Sequence, residues 1–237
     1  DDFFFLESDG DAAQKLVCDL VTTRLPRSYG FDPVRDIQVL CPTKLGPTGT
    51  QALNVELQNL LNPEQKGKPQ LQSASRVFRV GDKVMQVRNN YDIVWEKEHD
   101  PEEEGTGMFN GDVGKIVGIS LRDENLCVQF DDKLAHYTFD MLGELELAYA
   151  MTVHKSQGSE FDAVIVALPA GIGRRLLTRN ILYTAITRAK KLLVLVGDSD
   201  VTETMVHTNT RNRRYSALRA RLIRQGPEDA QASLEEE

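Results

Sequence analysis

AMTVHKSQGSEFDAVIV, residues Ala150–Val166, sets Thr, His, Lys, Ser, Gln, Gly, Ser and Glu between two apolar segments. A core helix does not need so dense a polar run, and a solvated loop does not need an apolar stretch on each side. The flanks ELELAYAM (144–151) and FDAVIVALP (161–169) both read as strands. The polar run between them therefore sits at the edge of a sheet, where backbone and side chains meet a ligand.

Working outward, LTRNILYTAITRAKK (177–191) reads as a helix opened by Thr178, and LLVLVGD (192–198) as a closing strand. Tyr183, Ile186 and Ala189 or Lys190 fall on successive turns of that helix, with Arg188 projecting from it. Upstream, FFFLE (3–7) reads as a strand, followed by a helix from about Asp11 to Arg24 with Ala12, Leu16, Leu20 and Thr23 on one face. IQVLCP (37–42) is β-branched and apolar, a strand buried on both faces. A Gly/Pro loop, TKLGPTGT (43–50), leads into a helix with Thr50 as N-cap and Leu53, Leu57, Leu60 and Leu61 on one face. Strand, helix, strand, loop, helix predicts an α/β parallel sheet.

From Arg76 to Leu142 the pattern changes to short alternating strands with Gly-Asp and Asn-Gly turns, which predicts a small antiparallel β-barrel inserted into the α/β domain. The acidic run EKEHDPEEEG (96–105) reads as a surface loop of this insert, and a basic amphipathic helix is expected around Tyr215–Arg224.

The net charge of −8 over 237 residues gives no global nucleic-acid signal, so such a claim rests on local patches. One exists: between Gly171 and Arg224 there are twelve Lys/Arg against three acids. The three cysteines, Cys18, Cys41 and Cys127, form no CxxC or Cys/His cluster, so no metal site is expected and buried reduced thiols are the simpler reading. No signal peptide or apolar run near the ~20 residues of a membrane span is present, and a cytoplasmic monomer is expected.

The two motifs AMTVHKSQGSEFDAVIV and LYTAITRAKK resemble the fifth and sixth motifs of RecD-like superfamily 1 helicases, which move 5′ to 3′ on single-stranded DNA. VLCPTKLGPTGTQALNVELQNLLNP is similar to the family's fourth motif region, and FRVGDKVMQVRNNYD…MFNGDVGKI resembles the SH3-like barrel carried in the second RecA-like domain. The resemblance covers roughly Phe3–Arg224. It implies a RecA-like sheet over 1–75 and 143–224 and an SH3-like insert over 76–142, while the acidic composition of 225–237 reads as a disordered tail.

What the resemblance implies for the site follows residue by residue. Arg188 is an arginine finger, delivering charge to the γ-phosphate as the transition state forms; an isolated arginine there would otherwise be a solvated helix residue or a dipole partner. Gln157, Gly158 and Glu160 face the nucleotide, with Lys44 near the γ-phosphate, although Lys lacks the bidentate fork of Arg. Thr152, His154, Lys155 and Ser156 face DNA; by its own chemistry, apart from the resemblance, Thr43 either offers a hydroxyl to a phosphate oxygen or closes a simple loop turn. From side-chain chemistry alone, Asn89 and Asn90, with Tyr91, suit a backbone contact and a base stack, though two asparagines are also common turn chemistry.

No GxxxxGK[ST] and no Walker B pair occur in the sequence. The family holds these in its first RecA-like domain, so the chain is expected to be a C-terminal half that needs ATP with Mg2+ bound mainly by an N-terminal RecA-like partner domain, and to be inactive alone. The start at FFFLE without Met agrees with a piece of something longer. Nothing in the chain supplies a carboxylate metal site for cutting DNA, so no nuclease activity is expected. Rival readings are a non-catalytic single-stranded DNA-binding module and the helicase half of a relaxase-type protein.

Overall fold

The computed structural model describes residues 2–73, 76–171, 173 and 176–208. Strand β1 (Phe3–Glu7) leads into helix α1 (Gly10–Asp19), which continues through a π-helical turn, Leu20–Arg24, into α2 (Leu25–Tyr29). The helical run thus continues past Arg24, because Pro26 falls in the first turn of α2, where its missing N–H costs nothing. Its buried residues are Ala13, Val17, Cys18, Leu20, Val21 and Leu25, while Ala12 is exposed, so of the expected face Leu20 is buried and the stripe otherwise runs beside it. Gly30, left-handed at φ 72°, ends the run.

Strand β2 (Ile37–Cys41) is buried at every position, and α3 (Thr50–Leu61) follows with Gly49, not Thr50, as its N-cap. Leu53 and Leu57 are buried, but Leu60 is 54% exposed, because the helix meets the protein along a narrower stripe than four leucines suggest. The insert then runs through β3 (Gln70–Ser73), β4 (Arg76–Arg79), β5 (Lys83–Gln86), β6 (Asn90–Lys97), β7 (Asp100–Met108), β8 (Val113–Ser120), β9 (Asn125–Phe130), β10 (Lys133–Thr138) and β11 (Leu145–Leu147). The chain returns with β12 (Ala150–Thr152), β13 (Phe161–Leu168), α4 (Arg179–Ile186), β14 (Ala189–Gly197) and α5 (Ser199–His207). The basic helix expected at Tyr215–Arg224 and the acidic tail lie outside the described residues.

Five parallel strands pair among the described residues in the order β1-β14-β13-β2-β12. Alternate residues divide between two cores. Ile37, Val39, Ile165 and Val194 pack with Ala13, Val17, Leu53 and Leu57 on one side. Leu40, Val164, Val166 and Leu195 pack with Leu182, Ala185 and Met205 of α4 and α5 on the other. Helices therefore cover both faces, which is why the central strands read as continuous apolar runs. The expected α/β class with an antiparallel insert is what the chain adopts.

In the insert, seven strands pair in the order β11-β5-β8-β9-β10-β6-β7, with β3–β4 as a separate ribbon. ELELAYAM is two strands rather than one: Leu145–Leu147 pairs antiparallel with β5, and Ala150–Thr152 pairs parallel with β2. The acidic run is a hairpin rather than a loop, because β6 and β7 pair around a turn at Glu98–His99. Gly105 makes this possible: a Cβ there would lie 2.5 Å from the Trp95 ring, so the indole can lie across the neighbouring strand. Lys133 caps the same ring at 4.1 Å, and Lys97 binds Glu103 at 2.7 Å.

Helix α3 fastens the insert to the sheet. Asn54 donates to the carbonyls of Leu147 (3.0 Å) and Ala150 (2.8 Å) and accepts from the Ala150 N–H at 2.8 Å. One turn on, Gln58 donates to the Val77 carbonyl at 2.8 Å and to buried Asp82 at 2.6 Å. One turn further, Asn62 reaches the Val80 carbonyl at 3.2 Å and the other Asp82 oxygen at 2.6 Å.

A buried amine lies between insert and sheet. Lys83 of β5 donates to the Ile37 carbonyl at 3.3 Å and sits 5.8 Å from the Phe161 ring centre. Burial pulls this amine down to about 8, partly offset by Asp32 and Asp36. Its folded value is thus below its unfolded one, so the unfolded chain holds more protons above pH 8 and stability rises with pH there. Between pH 8 and 9 the gain should be about 1 kcal/mol. Cys18, Cys41 and Cys127, all raised by burial, pull the other way from about pH 8 upward, and Tyr137 and Tyr149 join them at higher pH, so the amine's gain shows only against a protein that lacks it. In urea unfolding at pH 8 and 9 the stability difference between wild type and Lys83→Met should move by about 1 kcal/mol in favour of the wild type; the same pH dependence in both proteins would refute the assignment.

Candidate functional site

The polar run spans the sheet along its strands, from one end to the other. Thr152 ends β12 level with Cys41, at the carboxyl ends of the strands, and Phe161 starts β13 beside Ala189, at the amino ends. The segment between is a compact turn. Lys155, Ser156 and Ser159 N–H groups donate to the carbonyls of Thr152 (2.9 Å), Val153 (3.3 Å) and Ser156 (3.1 Å). Ser156 is fully buried and its hydroxyl donates to the Val153 carbonyl at 2.8 Å. It shapes the turn and is not available to DNA, which corrects its expected role. His154, Gln157, Gly158 and Glu160 are exposed. Gly158 has φ +89° with nothing near a would-be Cβ, so only glycine keeps the backbone bare there without strain.

At the amino edge lies Arg188. Helix α4, capped by the Thr178 hydroxyl, stops at Ile186, and Ala189, Lys190 and Lys191 already belong to β14. Arg188 therefore occupies the helix-to-strand turn, not a helix position: the β-forming run KKLLVLV captures the residues that the helical spacing had claimed. Its guanidinium has three partners. Nε donates to the Thr184 carbonyl (3.1 Å), Nη1 to the Ser159 carbonyl (3.0 Å) and Nη2 to the Thr187 hydroxyl (3.1 Å). The Phe161 N–H in turn donates to the Arg188 carbonyl at 2.9 Å. Glu160 faces Lys190 at 3.7 Å across solvent. The arginine, Gly158 and Glu160 are thus assembled at one edge.

At the opposite edge a groove of about 530 Å3 opens between α3, β12 and the insert. Lys44, Arg76, Arg79, Thr152 and Lys155 line it, with Glu146 as the acidic member among them. Lys44 pairs with Glu146 at 3.8 Å, and Arg76 with the same carboxylate at 3.1 Å. Lys44 follows the carboxyl end of β2 and Arg188 precedes β14, so the parallel sheet separates them. The structure groups Lys44 with Thr152 and Lys155 instead of with the Arg188 edge.

The end of the 43–50 loop closes on its start: Gly49, Thr50 and, just after it, Gln51 N–H donate to the carbonyls of Gly46 (3.0 Å), Thr43 (3.2 Å) and Lys44 (3.1 Å). The Thr43 hydroxyl donates to the Leu45 carbonyl at 3.0 Å, as a loop turn does. Asn90 is also engaged, donating to Glu144 at 3.0 Å beside Gln86, which binds the same oxygen at 3.0 Å. Asn89 is exposed and accepts the Asn110 N–H at 2.9 Å. Asn90 also accepts the Asp92 N–H at 2.9 Å, as a turn asparagine does, whereas the Asn89 bond reaches across to the turn after β7. Among the described residues no group of three His, Cys, Asp or Glu is placed to hold a metal, and no helix is long and apolar enough to cross a membrane. The described cysteines are free; Cys18 and Cys41 are buried, and Cys127 is partly exposed.

Sequence reasoning missed Arg76 and Arg79 in the groove and the Asn54, Gln58, Asn62 series behind it. The signal for the series was present: polar amides at four-residue intervals beside a leucine stripe mark a helix face that buries polar partners.

Residues 53–130 match the family described as the ATP-dependent RecD-like DNA helicase SH3 domain, and residues 147–196 match the UvrD-like helicase C-terminal domain. The ATP-dependent RecD2 DNA helicase of Deinococcus radiodurans is 33% identical over 186 residues, 78% of this chain and 23% of that protein. The RecBCD enzyme subunit RecD of Mycolicibacterium smegmatis is 33% identical over 160 residues, 68% of this chain and 25% of that protein. The chain thus spans about a quarter of the length of these curated relatives. A Bacteroides Pif1 helicase structure in complex with ADP-AlF3 and ssDNA has a TM-score of 0.47 at 19% identity, covering 90% of this chain and 50% of that one.

Proposed function

We propose, because this chain belongs to the RecD-like superfamily 1 helicases, that it works as the C-terminal half of an ATP-driven 5′–3′ DNA motor, with single-stranded DNA at one edge of its sheet and ATP at the other. The observation that carries this reading is the Thr152–Glu160 turn. One end lines the basic groove beside Lys44 and Lys155, and the other holds the Arg188 guanidinium through the Ser159 carbonyl.

In this reading Arg188 is the arginine finger, Glu160 stands ready for a ribose hydroxyl or an ordered water, and bare Gly158 lets the nucleotide approach. When bound, ATP with Mg2+ supplies the reacting phosphates; the metal and triphosphate rest mainly on an N-terminal RecA-like domain. Arg188, Glu160 and Gly158 fit the near side of such a nucleotide, being a cation, an exposed acceptor and an open backbone on one edge. Lys44, Thr152, His154 and Lys155 contact the DNA backbone, so Lys44 moves from the nucleotide set to the DNA set. A fixed turn joining both ligands couples hydrolysis to stepping. With no Walker A or B sequence, the chain alone does not turn over ATP, and purified chain assayed with DNA checks this directly.

Salt titration of single-stranded DNA binding tests the groove. Lys155→Ala should weaken binding to any sequence and reduce the slope of log affinity against log salt by about one. An unchanged slope would take Lys155 off the DNA path.

A further inference from the structure

Two aromatic rings on the insert stand in solvent with no packing role. Tyr91 of β6 is 66% exposed and Phe109, just after β7, is 47% exposed. Their centroids lie 5.8 Å apart with the planes at 78°, an edge-to-face pair. The pair is built, not accidental. Gly107, at φ +102°, holds the backbone conformation that sets Phe109 against Tyr91, one that a side chain would strain. The Phe109 N–H is fixed by Asp112 at 2.8 Å, and the Asn110 N–H by Asn89 at 2.9 Å. The neighbours Ile93 and Met108 already fill the core side, at 1% and 2% exposure.

The pair also continues the groove. Asn110, beside Phe109, accepts from Lys155, and Lys155 lines the groove itself. A cation with exposed rings just beyond it is how single strands are held without sequence preference: phosphate on the charge, base on the ring. We propose that Tyr91 and Phe109 form a stacking platform for an unpaired nucleobase of single-stranded DNA leaving the groove past Lys155. This rests on the groove being a DNA path, as read above. The platform is a subsite of its own, which adds a base contact to a backbone contact.

The test uses this chain and a fluorescein-labelled oligothymidylate of about 16 nucleotides, the upper end of known single-strand site sizes, beside an abasic strand of the same length and charge. Wild type should bind the abasic strand about tenfold more weakly. Tyr91→Ala and Phe109→Ala should each lose about tenfold on the thymidylate strand, with the salt slope kept and the base preference reduced. Tyr91→Phe should keep wild-type affinity. The abasic comparison needs no variant, so misfolding of an alanine variant leaves the test intact. Equal binding of the two strands, with the Lys155 salt dependence present, overturns the platform and leaves the groove standing. Failure of both strands to bind overturns platform and groove together.

Discussion

A loss of about 10³-fold in DNA-stimulated ATP turnover is the expected result of Arg188→Ala in a protein that carries both motor halves. ATP affinity should change only a few-fold, because the nucleotide rests mainly on the other domain and the finger acts as charge develops on the phosphate. The geometry sharpens the expectation. The guanidinium spans Thr184, Thr187 and Ser159, so it also ties the Thr184 carbonyl at the end of α4 to the Ser159 carbonyl of the polar turn. That structural duty predicts a modest stability loss of about 1 kcal/mol, whatever the chemistry. Turnover and unfolding must therefore be measured together. A variant that loses stability but keeps turnover would reduce Arg188 to a helix cap. Arg188→Lys separates the two further, since a single ammonium cannot span three acceptors and should recover little of the rate.

The second large effect concerns folding. Asp82 is fully buried and accepts from Gln58 (2.6 Å), Asn62 (2.6 Å), the Arg79 N–H (2.7 Å) and the Tyr149 hydroxyl (3.0 Å). Removing the carboxyl strands four buried donors together, each costing about 1–3 kcal/mol if left unmade. Partial relaxation leaves an expected loss of at least 3 kcal/mol for Asp82→Ala, a large share of a typical 5–15 kcal/mol total. Asp82→Asn should cost less, since its carbonyl still accepts while its amide meets donors. Urea unfolding of the three proteins is the measurement, and a loss below about 1 kcal/mol in the alanine variant would mean that the network is dispensable.

The sheet and the two long motifs were legible because parallel strands buried on both faces leave unbroken apolar runs, as IQVLC and FDAVIVAL do. The antiparallel insert was legible from its turns. Register was not. Nothing local separates Leu145–Leu147 from Ala150–Thr152, since what divides them is which partner strand each meets. Arg188 was correctly singled out but misplaced, because helical spacing and β propensity both claim TRAKK and only the pairing of Ala189 with Phe161 decides between them. Ser156 looked like its exposed neighbours; its burial follows from the turn closing on Val153. Lys44 and Arg188 both read as cations near a sheet edge, yet a sequence does not tell which edge.

The α3 fastening has a consequence for how this insert can be inherited. The insert leaves and re-enters the sheet domain beside one helix, and Asn54, Gln58 and Asn62 close on both crossings at successive turns. Barrel and helix are thus one unit of exchange. A chimera that swaps residues 70–147 for a homologous barrel but keeps the resident α3 inherits mismatched amides at both seams, whereas one cut ahead of Thr50 carries its own lock and key across. Recombination between relatives should tolerate the second boundary and reject the first.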